Sequence, residues 1–242
     1  MFGVDRAIDH RSTVGFLFAY SHPELKQLYS QVHADDYLFG VHYDTLFQDK
    51  YELKLWGSYG TQAYRLKRFI PLPHEDGHFS ANYTGNTVAL SSQVSMPVQW
   101  RKFVFRPLAA LDLSYVQQNS ATEHGFDAIR LHYHNSDWVQ LYGRIGVKAD
   151  YTYQKWDLNG SLGCSYLFAG DAAPTVSNQF VTDGPAFEIE GNNLGHGFFH
   201  LGLGGQRWLN ERKTRMFFVQ YDSEYGKNSN TQTAALGCQV VF

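Results

Sequence analysis

The chain has 242 residues, of which 43% are hydrophobic, 16% aromatic and 18% charged, with a net charge of -3. So even a charge balance gives no electrostatic footprint for nucleic acid, and no run approaches the roughly 20 apolar residues of a membrane helix. The abundance of Gly, Tyr and Phe favours strands and turns, and the length suits one large all-β domain.

The N-terminal stretch reads poorly as a signal peptide. Asp5 and Asp9 precede a short apolar patch, and no small-residue cleavage site follows it. Period-2 alternation then predicts strands over 1–5, 13–22, 36–47, 52–64, 79–97, 102–117, 127–150, 155–168, 196–208, 214–225 and 231–242. The one helical candidate is 23–32, PELKQLYSQV, as a loop element between strands. No linker or low-complexity tract interrupts the series, so residues 1–242 read as one domain.

The connections alternate in length. Those at 7–12, 48–51, 98–101, 152–154 and 210–213 are short and polar. Those at 22–34, 65–77, 119–125 and 170–194 are long, until a short final hairpin at 227–230. Outer-membrane barrels have short periplasmic turns and longer outer loops. The alternation decides one ambiguity: His134-Asn135-Ser136-Asp137 could be a hairpin turn, but that would move later short turns to the side of the long loops. Residues 126–150 are therefore expected to form one long, bent strand whose first half stands above the membrane. The count is then about eleven. Single-chain bacterial barrels use even numbers, so one strand is expected ahead of Met1 and the sequence reads as N-terminally truncated.

Two faces emerge from the alternation. One carries Phe103, Phe105, Ala109, Leu111, Leu113 and Tyr115, then Leu141, Gly143, Ile145, Val147 and Ala149, then Trp156, Leu158, Leu162, Tyr166 and Phe168. It continues as Phe199, Leu201 and Leu203, then Phe217, Val219 and Tyr221, and ends as Ala234, Leu236, Cys238, Val240 and Phe242. The other face carries Arg106, Asp112, Ser114, Arg144, Lys148, Asp150, Lys155, Asp157, Asn159, Ser161, Gln220, Asp222 and Glu224. A soluble β-sandwich also has one apolar and one polar face. Three features favour lipid instead: aromatics near strand ends (Tyr20, Tyr43, Tyr59, Tyr115, Tyr151, Tyr166, Trp208), the alternating loops, and a last strand that would leave a sticky edge in water. Cys164 and Cys238 fall on the apolar face of strands that are not neighbours, and are expected to be free thiols in lipid contact.

Several stretches resemble the autotransporter β-domain, the translocator unit of type V secretion. Phe105-Arg106-Pro107-Leu108-Ala109-Ala110-Leu111 through Tyr115 is similar to the family's aromatic-x-Pro-x-Ala-x-Leu strand. Gln117 to Gly125 and LYGRIGVK, 141–148, match its next loop and glycine-bearing strand. Phe187-Glu188-Ile189-Glu190-Gly191, Leu201-Gly202-Leu203-Gly204 and Tyr221-Asp222-Ser223-Glu224-Tyr225-Gly226 resemble later motifs in the expected order. The resemblance implies a 12-stranded barrel with a helix through its lumen, joined to an exported passenger. The pore helix and first strand are not recognised in this sequence.

Candidate chemistry is sparse. His132-x-His134 has a spacing a metal could use, but no third ligand is near in sequence, and two polar side chains on the protein surface are the better account. A barrel phospholipase would need a Ser, His and Asn or Asp group at the membrane edge, and no His-x-Ser-Asn-Gly-like segment occurs. Gly202-Leu203-Gly204-Gly205 lies in a strand with no helix after it, so it fails as a phosphate loop. Arg106, Asp112, Arg144, Lys148, Asp157, Asp222 and Glu224 are expected to line the lumen, as a mutually paired, hydrated wall or in part as contacts to a pore helix or passing polypeptide.

The reading is an antiparallel transmembrane β-barrel of the bacterial outer membrane, with its C-terminus periplasmic. No enzyme activity and no cofactor are implied. Its expected partners are outer-membrane lipid, the barrel assembly machinery and the chain's own passenger, which it would anchor and export. Leu236, Val240 and Phe242 are the expected assembly signal. The alternative is a passenger-less porin or adhesin that uses its own loops.

Overall fold

The computed structural model describes residues 2–71, 77–125, 129–182, 185–191, 193, 195–209 and 215–240. The alternating sequence folds almost wholly into strands. In chain order these are β1 (Phe2–Ala7), β2 (Ser12–Ser21), β3 (Glu24–Gln27), β4 (Ser30–Phe47), β5 (Tyr51–Ile70), β6 (Gly77–Ser95), β7 (Val98–Trp100), β8 (Phe103–Gln118) and β9 (Ala121–Thr122). They continue as β10 (Leu131–Tyr133), β11 (Ser136–Tyr153), β12 (Trp156–Gly170), β13 (Thr175–Phe180), β14 (Phe187–Glu190), β15 (Gly197–Trp208), β16 (Arg215–Gly226) and β17 (Asn230–Val240).

Eleven of them form one antiparallel meander in the order β1-β2-β4-β5-β6-β8-β11-β12-β15-β16-β17, with β3 added beside β4 and β7 beside β8. Because side chains alternate, register decides which residues share a face. It carries the apolar set from strand to strand. Phe18 faces Phe39, which faces Tyr59, then Val88, then Tyr115. Further round, Ile145 faces Cys164, which faces Phe199, then Tyr225.

This face is not a core. Ile145 is 68% exposed and Leu236 78% exposed, and the same holds for Phe16, Phe39, Leu111 and Phe168. A sandwich would cover them with a second sheet. Left open, the band exceeds the apolar patch a soluble monomer tolerates. A barrel wall in lipid needs no such cover, because its outward apolar band is its solvent contact. Among the described residues β1 and β17 each pair along one edge only.

Three turn regions carry left-handed residues other than glycine, the first being Gln48 and Asp49, both at φ 52°, between β4 and β5. Arg101 and Gln154 both sit at φ 54°, in the hairpins joining β7 to β8 and β11 to β12. Pro97 and the residue before it interrupt the strand expected over 79–97, so β6 ends at Ser95 and β7 begins at Val98.

Three further expectations are corrected at the opposite end. Residues 23–32 are not a helix: Glu24–Gln27 folds back on Ser30–His33 as a hairpin. Residues 126–150 are not one continuous strand. The wall strand begins at Ser136, and Leu131–Tyr133 pairs with β9 and β13 in a separate four-stranded sheet, order β14-β13-β10-β9. The long connections at 119–125 and 170–194 thus contain strands rather than open loop. In sequence, β9 follows β8, β10 precedes β11 and β13 follows β12. The small sheet therefore continues the order of the wall beyond its end. Ser80 and His124 bridge it back to β6.

Candidate functional site

The polar face is built from the residues that alternate with the apolar set. Arg106 is opposite Lys148, and Asp112 is opposite Tyr142, on β8 and β11. Arg106 Nε donates to Glu52 Oε1 at 3.2 Å, and its guanidinium also pairs with Asp150. Ser95 Oγ donates to the other Glu52 oxygen at 3.1 Å. Arg144 Nη2 lies 3.4 Å from Asp112 Oδ2, and Ser91 Oγ donates to Asp112. These are charges of both signs on a half-exposed wall, and Arg106 and Arg144 are each paired with a carboxylate of another strand.

Asp157 stands apart, near the short turn between β11 and β12. It accepts from Thr152 Oγ1 at 2.9 Å, Trp208 Nε1 at 3.1 Å and Gln206 Nε2 at 3.3 Å. Asp222 faces Gly202 and Thr233 and accepts from Gln220 Nε2 at 2.7 Å. A groove of 490 Å³ runs between these groups, lined in part by Arg144, Lys148, Asp150, Ser161, Asp222 and Glu224. Glu52, His200 and Ser165 join the network without having been singled out in the sequence. Their one sequence signal is that each falls on a polar-face position of its strand.

Ser165, His200 and Glu224 form a chain across three strands. Ser165 Oγ lies 2.7 Å from His200 Nε2, and His200 Nδ1 lies 3.2 Å from Glu224 Oε2. The order is that of a nucleophile, a base and an orienting carboxylate. An acyl-transfer site also needs free donors aimed at the developing oxyanion. Here β12 is paired along both edges through Ser165, leaving its backbone N–H groups committed to the ladder. The three side chains share the polar face of β12, β15 and β16.

The four-stranded sheet beyond the wall has a buried ion pair. Glu123 is 0% exposed. Arg68 Nε donates to its Oε1 at 2.9 Å and Arg68 Nη2 to its Oε2 at 2.6 Å. Leu131 N donates to Oε2 at 2.9 Å and Tyr133 Oη to Oε1 at 2.8 Å. Arg68 also donates to the Ile129 carbonyl at 3.1 Å and lies 4.5 Å over the Phe79 ring. Burial pushes the Tyr133 phenol above its ordinary range, and the Glu123 charge adds to the shift. Burial likewise pushes Tyr83, stacked on Tyr64 at 4.7 Å, up to about 12.

His132 and His134 meet edge-on at 4.8 Å, and His132 Nδ1 lies 2.8 Å from Thr122 Oγ1. No group of three metal-ligating side chains occurs among the described residues. Cys164 and Cys238 are free and exposed. Leu236 sits on the apolar face opposite Val219. Val240 pairs with Arg215 through its backbone, and Phe242 lies outside the described residues.

The family model "Autotransporter beta-domain" matches residues 1–222. No curated protein matches the chain significantly. Among solved structures, the translocator domain of autotransporter NalP from Neisseria meningitidis superposes with a TM-score of 0.79 at 15% identity, covering 99% of this chain and 77% of that one. The β domain of the Bordetella autotransporter BrkA superposes with a TM-score of 0.65 at 15% identity, covering 99% of this chain and 88% of that one. At these identities the superpositions speak for the fold alone.

Proposed function

The chain belongs to the autotransporter β-domain family, and from that premise we propose that it anchors in the bacterial outer membrane and carries an N-terminal passenger polypeptide to the cell surface. The observation that supports this most is the register of the eleven-stranded wall. It keeps an apolar band on one face and a polar, groove-bearing wall on the other. In lipid the wall satisfies its backbone groups through the strand ladder. The polar face then lines an aqueous lumen. Arg106, Asp112, Arg144, Lys148, Asp157, Asp222 and Glu224 form that lining, and no catalytic step is assigned to it.

Closure follows from the edges. The free sides of β1 and β17 would each expose a row of N–H and C=O groups to hydrocarbon, which costs several kcal/mol per group. A twelfth strand of the same protein, paired to both, removes the cost. The short turns then face the periplasm, together with the C-terminus, and the small outer sheet faces the exterior. The barrel assembly machinery reads the last strand through Leu236, Val240 and Phe242.

The test is a reporter polypeptide fused ahead of the barrel in its own cell envelope. Surface exposure of the reporter, lost when the barrel is removed, is the expected result. A reporter held in the periplasm beside a correctly inserted barrel would overturn the export reading. It would favour a barrel without a passenger.

A further inference from the structure

The exterior of the wall above the aromatic girdle carries a basic cavity. Tyr20 and Tyr37, rings 5.2 Å apart, mark the top of the apolar face on β2 and β4. On the same face above them, register sets two rows across the strands. The lower row is Glu24, His33, Arg65 and Asn82; the upper is Lys26, Gln31, Lys67 and Ser80. The run from Tyr37 to Gln31 is about 20 Å of strand, or about 15 Å of height at a tilt of about 40°.

The lower row is internally neutralised. Glu24 holds Lys26 at 2.9 Å and lies 3.6 Å from His33. Asp35 holds His22 at 2.8 Å and Arg65 at 3.4 Å. In the upper row Glu24 reaches Lys26 and also accepts from Gln31 Nε2, but it does not reach Lys67. Lys67 is exposed and has no ion pair or hydrogen bond among the described residues. A cavity of 540 Å³ opens beside it, lined by Lys26, Tyr29, Gln31, Lys67, His78 and Ser80 among others, and no carboxylate among the described residues lines it. Phe69 and His78, rings 5.3 Å apart, form an aromatic wall.

We propose that this cavity binds the phosphorylated sugar headgroup of a glycolipid in the surrounding outer leaflet. Lys67 supplies the ammonium for the phosphate oxygens, and Lys26, paired with Glu24, adds the ammonium protons that this pair does not use. The Gln31 amide oxygen, whose Nε2 donates to Glu24, and the hydroxyl of Ser80 suit sugar hydroxyls, and Tyr29 and His78 offer ring faces. The apolar band directly below holds the acyl chains of the same molecule, which is why a membrane lipid is favoured over a free phosphate. The inference rests on the outer-membrane reading and on the long connections facing the exterior.

The test embeds the purified protein in phosphatidylcholine nanodiscs with and without lipid A. Acetylation of Lys67 by an amine-reactive ester is followed by mass spectrometry. Lys155, exposed in a turn at the other end of the wall, is the internal reference. Lipid A should slow Lys67 at least about fivefold by occupancy, leave Lys155 unchanged, and protect less in Lys26→Gln. Inorganic phosphate added to lipid-A-free discs should not protect. Equal Lys67 rates in both discs overturn the proposal, and so does phosphate protecting as well as lipid A. Failure to co-elute with either disc overturns the membrane reading itself, and the proposal with it.

Discussion

Arg68 and Glu123, far apart in sequence, close on each other as a two-pronged ion pair with Glu123 wholly out of solvent. The pair ties the segment after β8 to the β5–β6 hairpin. Both remaining carboxylate contacts, from Leu131 N and Tyr133 Oη, come from β10. One side chain thus joins three pieces of the end that bears the four-stranded sheet.

Removing one partner should loosen this end and leave the wall intact. Arg68→Ala leaves a buried carboxylate unpaired, a loss of about 3–5 kcal/mol. Amide hydrogen exchange should speed up across 119–125 and 129–135 while β11 and β12 stay protected. The double variant Arg68→Met/Glu123→Leu should lose much less, because no charge is stranded. Unchanged protection in Arg68→Ala would show that the pair is not what holds the outer sheet.

The outer end should also resist alkaline titration. Burial raises both Tyr83 and Tyr133 above the ordinary phenol range, Tyr83 to about 12. For groups raised in the folded state, the associated stability is complete below the unfolded phenol value of about 10. It is lost as pH rises from there through the folded values. Tyrosinate absorbance of the folded protein should show a late step beyond the exposed tyrosines, and Tyr83→Phe should reduce it. A single step near the ordinary phenol value would contradict the burial.

Close strand approach predicts a graded glycine series. Gly146 faces Gly163 across β11 and β12, and a Cβ at Gly146 would sit 2.6 Å from the Leu162 carbonyl oxygen. A Cβ at Gly160 meets nothing nearer than 3.7 Å. Gly146→Ala should destabilise the folded barrel by about 1–3 kcal/mol, and Gly160→Ala should change it little. Heat-modifiable migration on gels reports the difference. Equal effects would mean that inter-strand space does not set the tolerance.

The wall was legible because its signal is local. Leu111, Leu113 and Tyr115 alternate with Asp112 and Ser114, and the same period recurs along the wall, so the faces and the number of wall strands follow from the sequence. Residues 23–32 failed for the complementary reason. Glu24, Leu25, Lys26 and Gln27 have helix propensity, but Glu24–Gln27 finds a ladder along β4, itself paired to β5, and pairing overrides propensity. The break before Ser136 carries a turn signal in His134-Asn135-Ser136-Asp137, but the alternation of loop lengths argues against it, because neither reveals that Leu131–Tyr133 pairs aside with β9 and β13. Arg68–Glu123 and Ser165–His200–Glu224 were invisible because their members are brought together by register across strands. The face of each could be read from the sequence, but not its partner.

The central claim is that the apolar face meets lipid while the polar face meets water. Cys164 and Ser161 lie on the same strand with their side chains on opposite faces. A charged, membrane-impermeant thiol reagent should therefore separate them in a reconstituted bilayer, since thiolate chemistry requires water access. In a Cys238→Ser background, native Cys164 should stay unlabelled. With Cys164→Ser and Ser161→Cys added, the new thiol should react at least about tenfold faster. Labelling of Cys164 as fast as the Ser161→Cys thiol would place the apolar face in water and contradict the account.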